Sequence, residues 1–148
     1  MGWVERLHNK VVGLDTAPLI YFIEDHPGYS QQLAAFFEAV DQGRIRAVTS
    51  VITLVEVLAR PLREDQSDLA DRYREILLGS TGLETVSVSA EIAEQAARLR
   101  AAYGLRTPDA IQLAAATQAG AAAFLTNDTT LARISQPEVL VLSKVREA

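Results

Sequence analysis

The stretch Thr107-Pro108-Asp109-Ala110-Ile111-Gln112-Leu113-Ala114-Ala115-Ala116, followed after a short break by Ala122-Ala123-Phe124-Leu125-Thr126-Asn127-Asp128, decides the fold. Thr107 reads as a cap, Pro108 as a first-turn proline and Asp109 as a first-turn acid, so a helix opens here. The apolar run ending at Leu125 reads as a buried strand. A helix packed antiparallel to the strand it feeds begins where that strand ends, which carries Asp109 and Asp128 to one edge of a sheet. Near the start of the chain, Val11-Val12-Gly13-Leu14 reads as another buried strand. Asp15 directly follows it, at the same carboxyl edge.

Outward from these two strands, strand and helix alternate. Residues 17–23 read as a short helix ended by Asp25-His26-Pro27-Gly28, and Ser30 as the cap of a second helix through Leu33, Phe36, Phe37 and Val40, stopped near Gly43. A strand over residues 45–49 leads into a helix over 50–60 that Pro61 closes, and a charged helix follows over 65–78. Residues 85–88 form a strand, Ser89 caps a helix reaching Tyr103, and Gly104 stops it. After the Phe124 strand come a helical turn over 129–134 and a last strand over 139–142. A mostly parallel sheet with helices on both faces satisfies this order. No repeat, low-complexity segment or linker divides the chain, so residues 1–148 read as one domain, with a leader at 1–10 and a core over 11–142.

At 148 residues and 49% hydrophobic content the chain is long enough to bury an ordinary core. It has no cysteine, which excludes disulfides and thiolate metal sites and is compatible with a reducing cytoplasm. Met1-Gly2-Trp3-Val4-Glu5-Arg6 carries no legible export or lipid signal. Gln112, Thr117, Gln118 and Gly120 make the Ala-rich stretch over 111–125 too polar and too short to span a bilayer. The net charge of −5 speaks against a broad basic surface that coats nucleic acid. That argument weakens if four of the negative charges form one metal-binding cluster, because bound cations reverse the local field. Of the 14 basic residues only Lys10 and Lys144 are lysines. Arginine forks suit phosphate, and a coding preference explains them equally well.

Each acid has an ordinary role when taken alone. Asp15 fits a cap for the helix after it, Asp109 an acid answering the helix dipole, and Asp128 a cap for the turn at Thr129. Glu56 stands apart: flanked by Val51, Ile52, Leu54, Val55, Val57 and Leu58, it lies on a helix that reads as apolar almost all round and therefore buried. A buried carboxylate needs a partner, and Arg60, one turn later, is the local one. Together the four change the reading, since carboxylates crowded on one edge repel unless a cation neutralises them. Mg²⁺ or Mn²⁺ fits such hard oxygen ligands. Zinc does not, because cysteine is absent and His8 and His26 show no ligand spacing. A Ser-His-Asp triad has no local signature here.

Asp15-Thr16, Thr53-Leu54-Val55-Glu56-Val57-Leu58, the stretch from Leu105 to Ala116, and Phe124-Leu125-Thr126-Asn127-Asp128 occur in an order that resembles the PIN domain, especially the VapC-type toxins of bacterial and archaeal toxin–antitoxin pairs. The likeness runs from Val11 to Leu142, and its most specific part is residues 106–116. It implies a three-layer α/β/α fold with a central, mostly parallel sheet. It further implies a metal-dependent endoribonuclease in which Asp15, Glu56, Asp109 and Asp128 form the catalytic, metal-holding quartet, with Mg²⁺ or Mn²⁺ as cofactor. RNA as substrate, a cognate antitoxin, a homodimer and a cytoplasmic setting follow from the same resemblance. Thr16, Thr126 and Asn127 fall beside the acids, where they orient a ligand carboxylate or metal-bound water, or else cap helices and turns. Arg106 fits a clamp on substrate phosphate or a solvated arginine before a helix.

Two other readings stand beside this one. A catalytically weak PIN-fold interaction module is the first, and the presence of all four acids speaks against it. A haloacid-dehalogenase-type phosphatase also begins with an Asp after its first strand, but that chemistry wants a second acid two residues later, where this chain has Ala17. The leader is longer than the family's usual start. Trp3 and Leu7 read as a short helix covering the domain or a partner surface, or as a mobile tail. Tyr21, Phe22, Phe36 and Phe37, on helices flanking the first acid, read either as a groove for an amphipathic antitoxin segment or as core.

Overall fold

The computed structural model of the chain describes residues 2–145. Five short strands, β1 (Val11–Leu14), β2 (Arg46–Ser50), β3 (Leu83–Val86), β4 (Ala123–Thr126) and β5 (Glu138–Val141), pair in the order β3-β2-β1-β4-β5, all parallel. Helices α1 (Thr16–Ile23) and α2 (Ser30–Asp41) link β1 to β2, and α3 (Val51–Arg63) and α4 (Ser67–Gly79) link β2 to β3. Helices α5 (Ala90–Tyr103) and α6 (Thr107–Gln118) link β3 to β4, and a single turn, α7 (Leu142–Val145), follows β5.

Period-two alternation along the strands builds the layers. Val12, Leu14, Ala47 and Leu125 pack with Leu19, Leu33, Phe36, Val57, Tyr73 and Leu77 from α1 to α4. Phe124, on the opposite face, packs with Ile92 and Ala96 of α5 and Leu113 and Ala116 of α6. The result is the three-layer α/β/α arrangement with a parallel sheet covered on both faces.

Element ends move by a residue or a few from the sequence expectation, and three differences stand out. Pro61 does not close α3, which continues to Arg63. The proline lies close to the helix end, where its missing N–H removes one rung, and its ring is buried. Ser30 and Thr107 are first helical residues, not caps; Tyr29 and Arg106 hold the cap positions, without side-chain cap bonds. Nor is α3 buried all round. Thr53, Val57 and Pro61, spaced by four, face inward, while Val55 is 66% exposed and Leu62 55%.

The leader covers the domain. Trp3, Val4 and Leu7 are buried around a 3-10 turn at Glu5–Leu7, and the Trp3 ring lies parallel to Phe36 with centroids 6.0 Å apart. Phe36 is therefore core, whereas Tyr21, Phe22 and Phe37 are half-buried.

Strand β1 and helix α6 approach so closely that only glycine fits between them. A Cβ on Gly13 would lie 2.5 Å from the Ala116 Cβ and 2.8 Å from Phe124 Cδ1. Gly13→Ala is therefore expected to destabilise the fold by about 1–3 kcal/mol, the range for overpacking. Urea denaturation checks this as a lower midpoint with an unchanged slope. A wild-type midpoint would show that α6 can back away freely.

Candidate functional site

Because β1 sits between β2 and β4, the first two crossovers carry the chain to one side of β1 and the third brings it back to the other. The carboxyl ends of β1 and β4 diverge there into opposite helical layers, and such a point leaves a crevice. A cleft of about 600 Å³ opens at this place. It is lined by Asp15, Thr16, Glu56, Arg106, Asp109, Thr126, Asn127 and Asp128, with Ala17, Ile20 and Tyr21 contributed by α1. The fold thus brings all eight residues singled out in the sequence to one cavity.

Register explains the first contacts. Leu14 is paired with Leu125, so the next residues, Asp15 and Thr126, are neighbours. The Asp15 N–H donates to Leu125 O at 2.9 Å, and Thr126 Oγ1 donates to Asp15 Oδ2 at 2.6 Å. Asp15 Oδ1 accepts from the Thr16 N–H at 2.9 Å, so this acid caps α1 and lines the cleft at once. Thr126 Oγ1 in turn accepts from the Asp128 N–H at 3.0 Å. Asp128 Oδ1 takes the N–H and hydroxyl of Thr130 at 2.9 and 2.7 Å, capping the 3-10 turn Thr129–Arg133. Asn127 spans the rim: its Nδ2 donates to the Tyr21 hydroxyl at 3.4 Å and its Oδ1 accepts from the Ser143 N–H at 3.1 Å.

Asp109, in the first turn of α6, accepts from Arg106 Nε at 3.2 Å; its side chain is 13% exposed and that of Arg106 76%. Glu56 is solvent-facing, and its Oε1 accepts from Thr16 Oγ1 at 2.5 Å. Arg60, the expected local partner of Glu56, pairs instead with Glu24, the C-cap residue of α1, which also accepts from the Tyr73 hydroxyl. Among the described residues no three His, Cys, Asp or Glu side chains stand close enough together, as they are placed, to hold a metal ion. The bonds from Thr16 and Thr130 use one oxygen each of Glu56 and Asp128.

Burial pushes the Asp15 carboxyl above the usual aspartate range. The Thr126 and Thr16 hydrogen bonds pull it back, and the charges of Asp109 and Glu56 push it further up. Arg106 holds its proton more firmly than a free arginine, through the hydrogen bond and charge of Asp109 first and the charges of Glu56 and Asp128 after that.

Beneath the acids lies a buried polar group that the sequence reading passed over. Gln112, one turn beyond Asp109 on the same face of α6, is 2% exposed and surrounded by Thr16, Thr49, Ser50 and Thr53. The Thr16 hydroxyl hydrogen is committed to Glu56 and that of Thr49 to Leu14 O, so their lone pairs need donors. Gln112 Nε2 reaches Thr53 Oγ1 at 2.5 Å and Thr16 Oγ1 at 3.4 Å, while its Oε1 accepts from Ser50 Oγ at 2.7 Å. Thr53 completes the set, 3.1 Å from Thr16 and 2.8 Å from Thr49. One amide therefore ties α1, β2, α3 and α6 together directly under Glu56. The signal available in sequence was a lone Gln among alanines at the three-residue spacing from an acid.

A model of the PIN domain matches residues 12–137 of the chain. Among solved structures, a toxin–antitoxin complex from Klebsiella pneumoniae is 28% identical over 88% of this chain and 96% of that one, with a TM-score of 0.66. VapBC2 from Rickettsia felis, bound to a DNA fragment from its promoter, is 18% identical over 88% of this chain and 98% of that one, with a TM-score of 0.67. The sarcin-ricin loop cleaving toxin VapC20 of Mycobacterium tuberculosis is 18% identical over 77% and 86%, with a TM-score of 0.62. At 18% identity these last two speak for the fold alone. Comparison with curated proteins returned no match.

Two measurements probe this geometry. The folded state holds the Asp15 proton more tightly than the unfolded chain does, so stability falls as pH rises from the ordinary aspartate value through the raised value of Asp15. In metal-free protein Asp15→Asn should melt above wild type at neutral pH, with the gap closing under acid conditions; a pH-independent gap would contradict the shift. Gln112→Leu strands the hydroxyls around it and should lower stability by roughly 2 kcal/mol or more in urea titrations.

Proposed function

The chain belongs to the PIN domain family, and from that premise we propose that it is a divalent-metal-dependent endoribonuclease, the toxin of a type II toxin–antitoxin pair, hydrolysing RNA phosphodiester bonds. One observation carries the reading: Asp15, Glu56, Asp109 and Asp128 reach a single cleft from four separate elements, at the reversal point of the sheet. The 28% identity to the toxin–antitoxin complex from Klebsiella pneumoniae supports it, and the sarcin-ricin loop cleaving toxin VapC20 shares the fold.

The donor chemistry of the cleft fits Mg²⁺ or Mn²⁺. Its ligands are carboxylate and hydroxyl oxygens, and an open cleft leaves room for retained water. The cleft offers no zinc set: the chain has no cysteine, and neither His8 nor His26 lines the cleft. When bound, such an ion supplies a water of lowered pKa and neutralises charge on the phosphate. The chain supplies the positioning. Asp15, held on both oxygens, is the fixed donor; Thr16 aims Glu56, and Thr126 holds Asp15 and the Asp128 backbone in one place. Arg106 spends only Nε on Asp109, which leaves its terminal nitrogens for a substrate phosphate.

The partner surface follows from the half-buried aromatics. Phe22 and Phe37, stacked with centroids 4.4 Å apart, line a second groove of about 370 Å³ with Ile76 and Leu83, rimmed by Glu38 and Asp41. An amphipathic antitoxin segment docks there in this reading, its apolar face on Phe22 and Phe37; the groove shares no lining residue with the acidic cleft. Phe36, buried, drops out of that surface. In the same reading, by likeness to the family, the protein is a cytoplasmic homodimer. No described helix is long and apolar enough to cross a membrane.

Two experiments test the reading. RNA cleavage should vanish in EDTA and return with Mg²⁺ or Mn²⁺, and the metal should raise the melting temperature, since an ion at 100 times its Kd adds about 2.7 kcal/mol. Full activity in chelator with no change in melting would remove the metal from the reading. Asp109→Asn should cleave about a hundredfold less, or lower still, the scale of a lost charge-stabilising group. The same apo variant should melt at or above wild type, because repulsion with the other acids is relieved. A destabilised but active variant would mark Asp109 as a helix-dipole acid, worth about 0.3–1 kcal/mol.

A further inference from the structure

Ala17, Ile20 and Tyr21 line the cleft together with the carboxylates and share one face of α1 at the three- and four-residue spacing. Tyr21 lies six residues past Asp15, about 9 Å further along the helix axis, a nucleotide's reach from a phosphate to a neighbouring base. Its ring is braced from several directions. Tyr29 stacks on it with centroids 5.2 Å apart and planes within 14°, and His26 lies tilted against it at 4.6 Å. Asn127, itself held by the Ser143 N–H, donates to the hydroxyl from across the cleft mouth. Tyr21 and Tyr29 pack on one side against the core, yet Tyr21, His26 and Tyr29 are all half-buried and Tyr21 lines the cavity.

Resting on the ribonuclease reading above, we infer that Tyr21 is the stacking platform for a nucleobase of single-stranded RNA adjoining the phosphate held at the acids. A ring already immobilised by Tyr29, His26 and Asn127 loses little rotamer freedom when a base lands on it. Stacking is tolerant of base identity, since every base offers a π-face. Tyr21 therefore anchors the strand, sets which phosphate lies over Asp15, and contributes to KM. It leaves the choice of sequence to other contacts.

The test uses the whole chain with Mg²⁺ and a short single-stranded RNA carrying an abasic residue at each position in turn around the cleaved bond. Wild type should lose about tenfold in kcat/KM at one abasic position, the scale of one base–aromatic stack. Tyr21→Leu should raise KM by about tenfold on the intact RNA with kcat little changed. The same variant should lose nothing further at that abasic position. Tyr21→Phe should stay within about twofold of wild type and Tyr21→Trp should bind as well or better, because the ring and not the hydroxyl carries the contact. A Tyr21→Phe as impaired as Tyr21→Leu would assign the effect to the Asn127 hydrogen bond and overturn the platform. An abasic scan of wild type with no position-specific loss would overturn it too, even if Tyr21→Leu fails to fold. Wild-type protein that neither cleaves nor binds any of the RNAs fails the ribonuclease reading itself and takes the subsite with it. Wild-type cleavage with an unaffected Tyr21→Leu fails only the subsite.

Discussion

The parallel pairing of β1 with β4 is the constraint on which the cleft depends. It sets Leu14 opposite Leu125, and that alone makes Asp15 and Thr126 neighbours across 111 residues of chain. It also turns Gly13 toward α6, where no larger residue fits against Ala116 and Phe124. A slip of one residue would point every side chain of β1 at the wrong layer. Core packing and site assembly are thus the same event, since the strand that buries Val12 and Leu14 is the one that delivers Asp15.

Strands β1 and β4 were legible as short apolar runs, and Asp15 and Asp128 lie one and two residues past their ends; β3, whose Glu84 and Thr85 break any apolar run, forms two residues earlier than expected. Asp15, Asp109 and Asp128 are set by local signals, a strand end or a first helical turn. Those signals stay readable in sequence without knowledge of the fold. Glu56 is different. Its neighbours suggested a buried helix with Arg60 as internal partner, but α3 turns only Thr53, Val57 and Pro61 inward, and Arg60 reaches across to α1. Which face of an apolar helix is covered depends on the layer it meets, and no window of sequence contains that layer. Gln112 was illegible for the same reason: its partners come from α1, β2 and α3. The Pro61 boundary erred because a proline in the last turns of a helix removes a single rung without ending it.

The floor of the cleft is built from neutral groups. Hydroxyls of Thr16, Thr49, Ser50 and Thr53 and one amide are saturated by one another and by Leu14 O, so no further charge is buried beneath four carboxylates. A lysine or arginine at position 112 would pair the acids directly, fill the place a cation needs and cost several kcal/mol in desolvation. Neutral donors avoid both consequences. They hold Glu56 through Thr16 and leave the negative potential of the cleft open to the outside.

Helices α1 and α3 are joined at two levels. Near their starts, Thr16 meets Thr53 and Glu56 through short, mostly buried hydrogen bonds; near their ends, Glu24 meets Arg60 at an exposed ion pair steadied by Tyr73. These two fastenings answer differently to the medium. Ionic strength screens the outer one and hardly touches the inner one. In concentrated salt the outer fastening weakens by up to about 1 kcal/mol, while the inner one, and with it the spacing between Asp15 and Glu56, is hardly touched. The end of the pair that carries the acids is thereby the less sensitive to ionic strength.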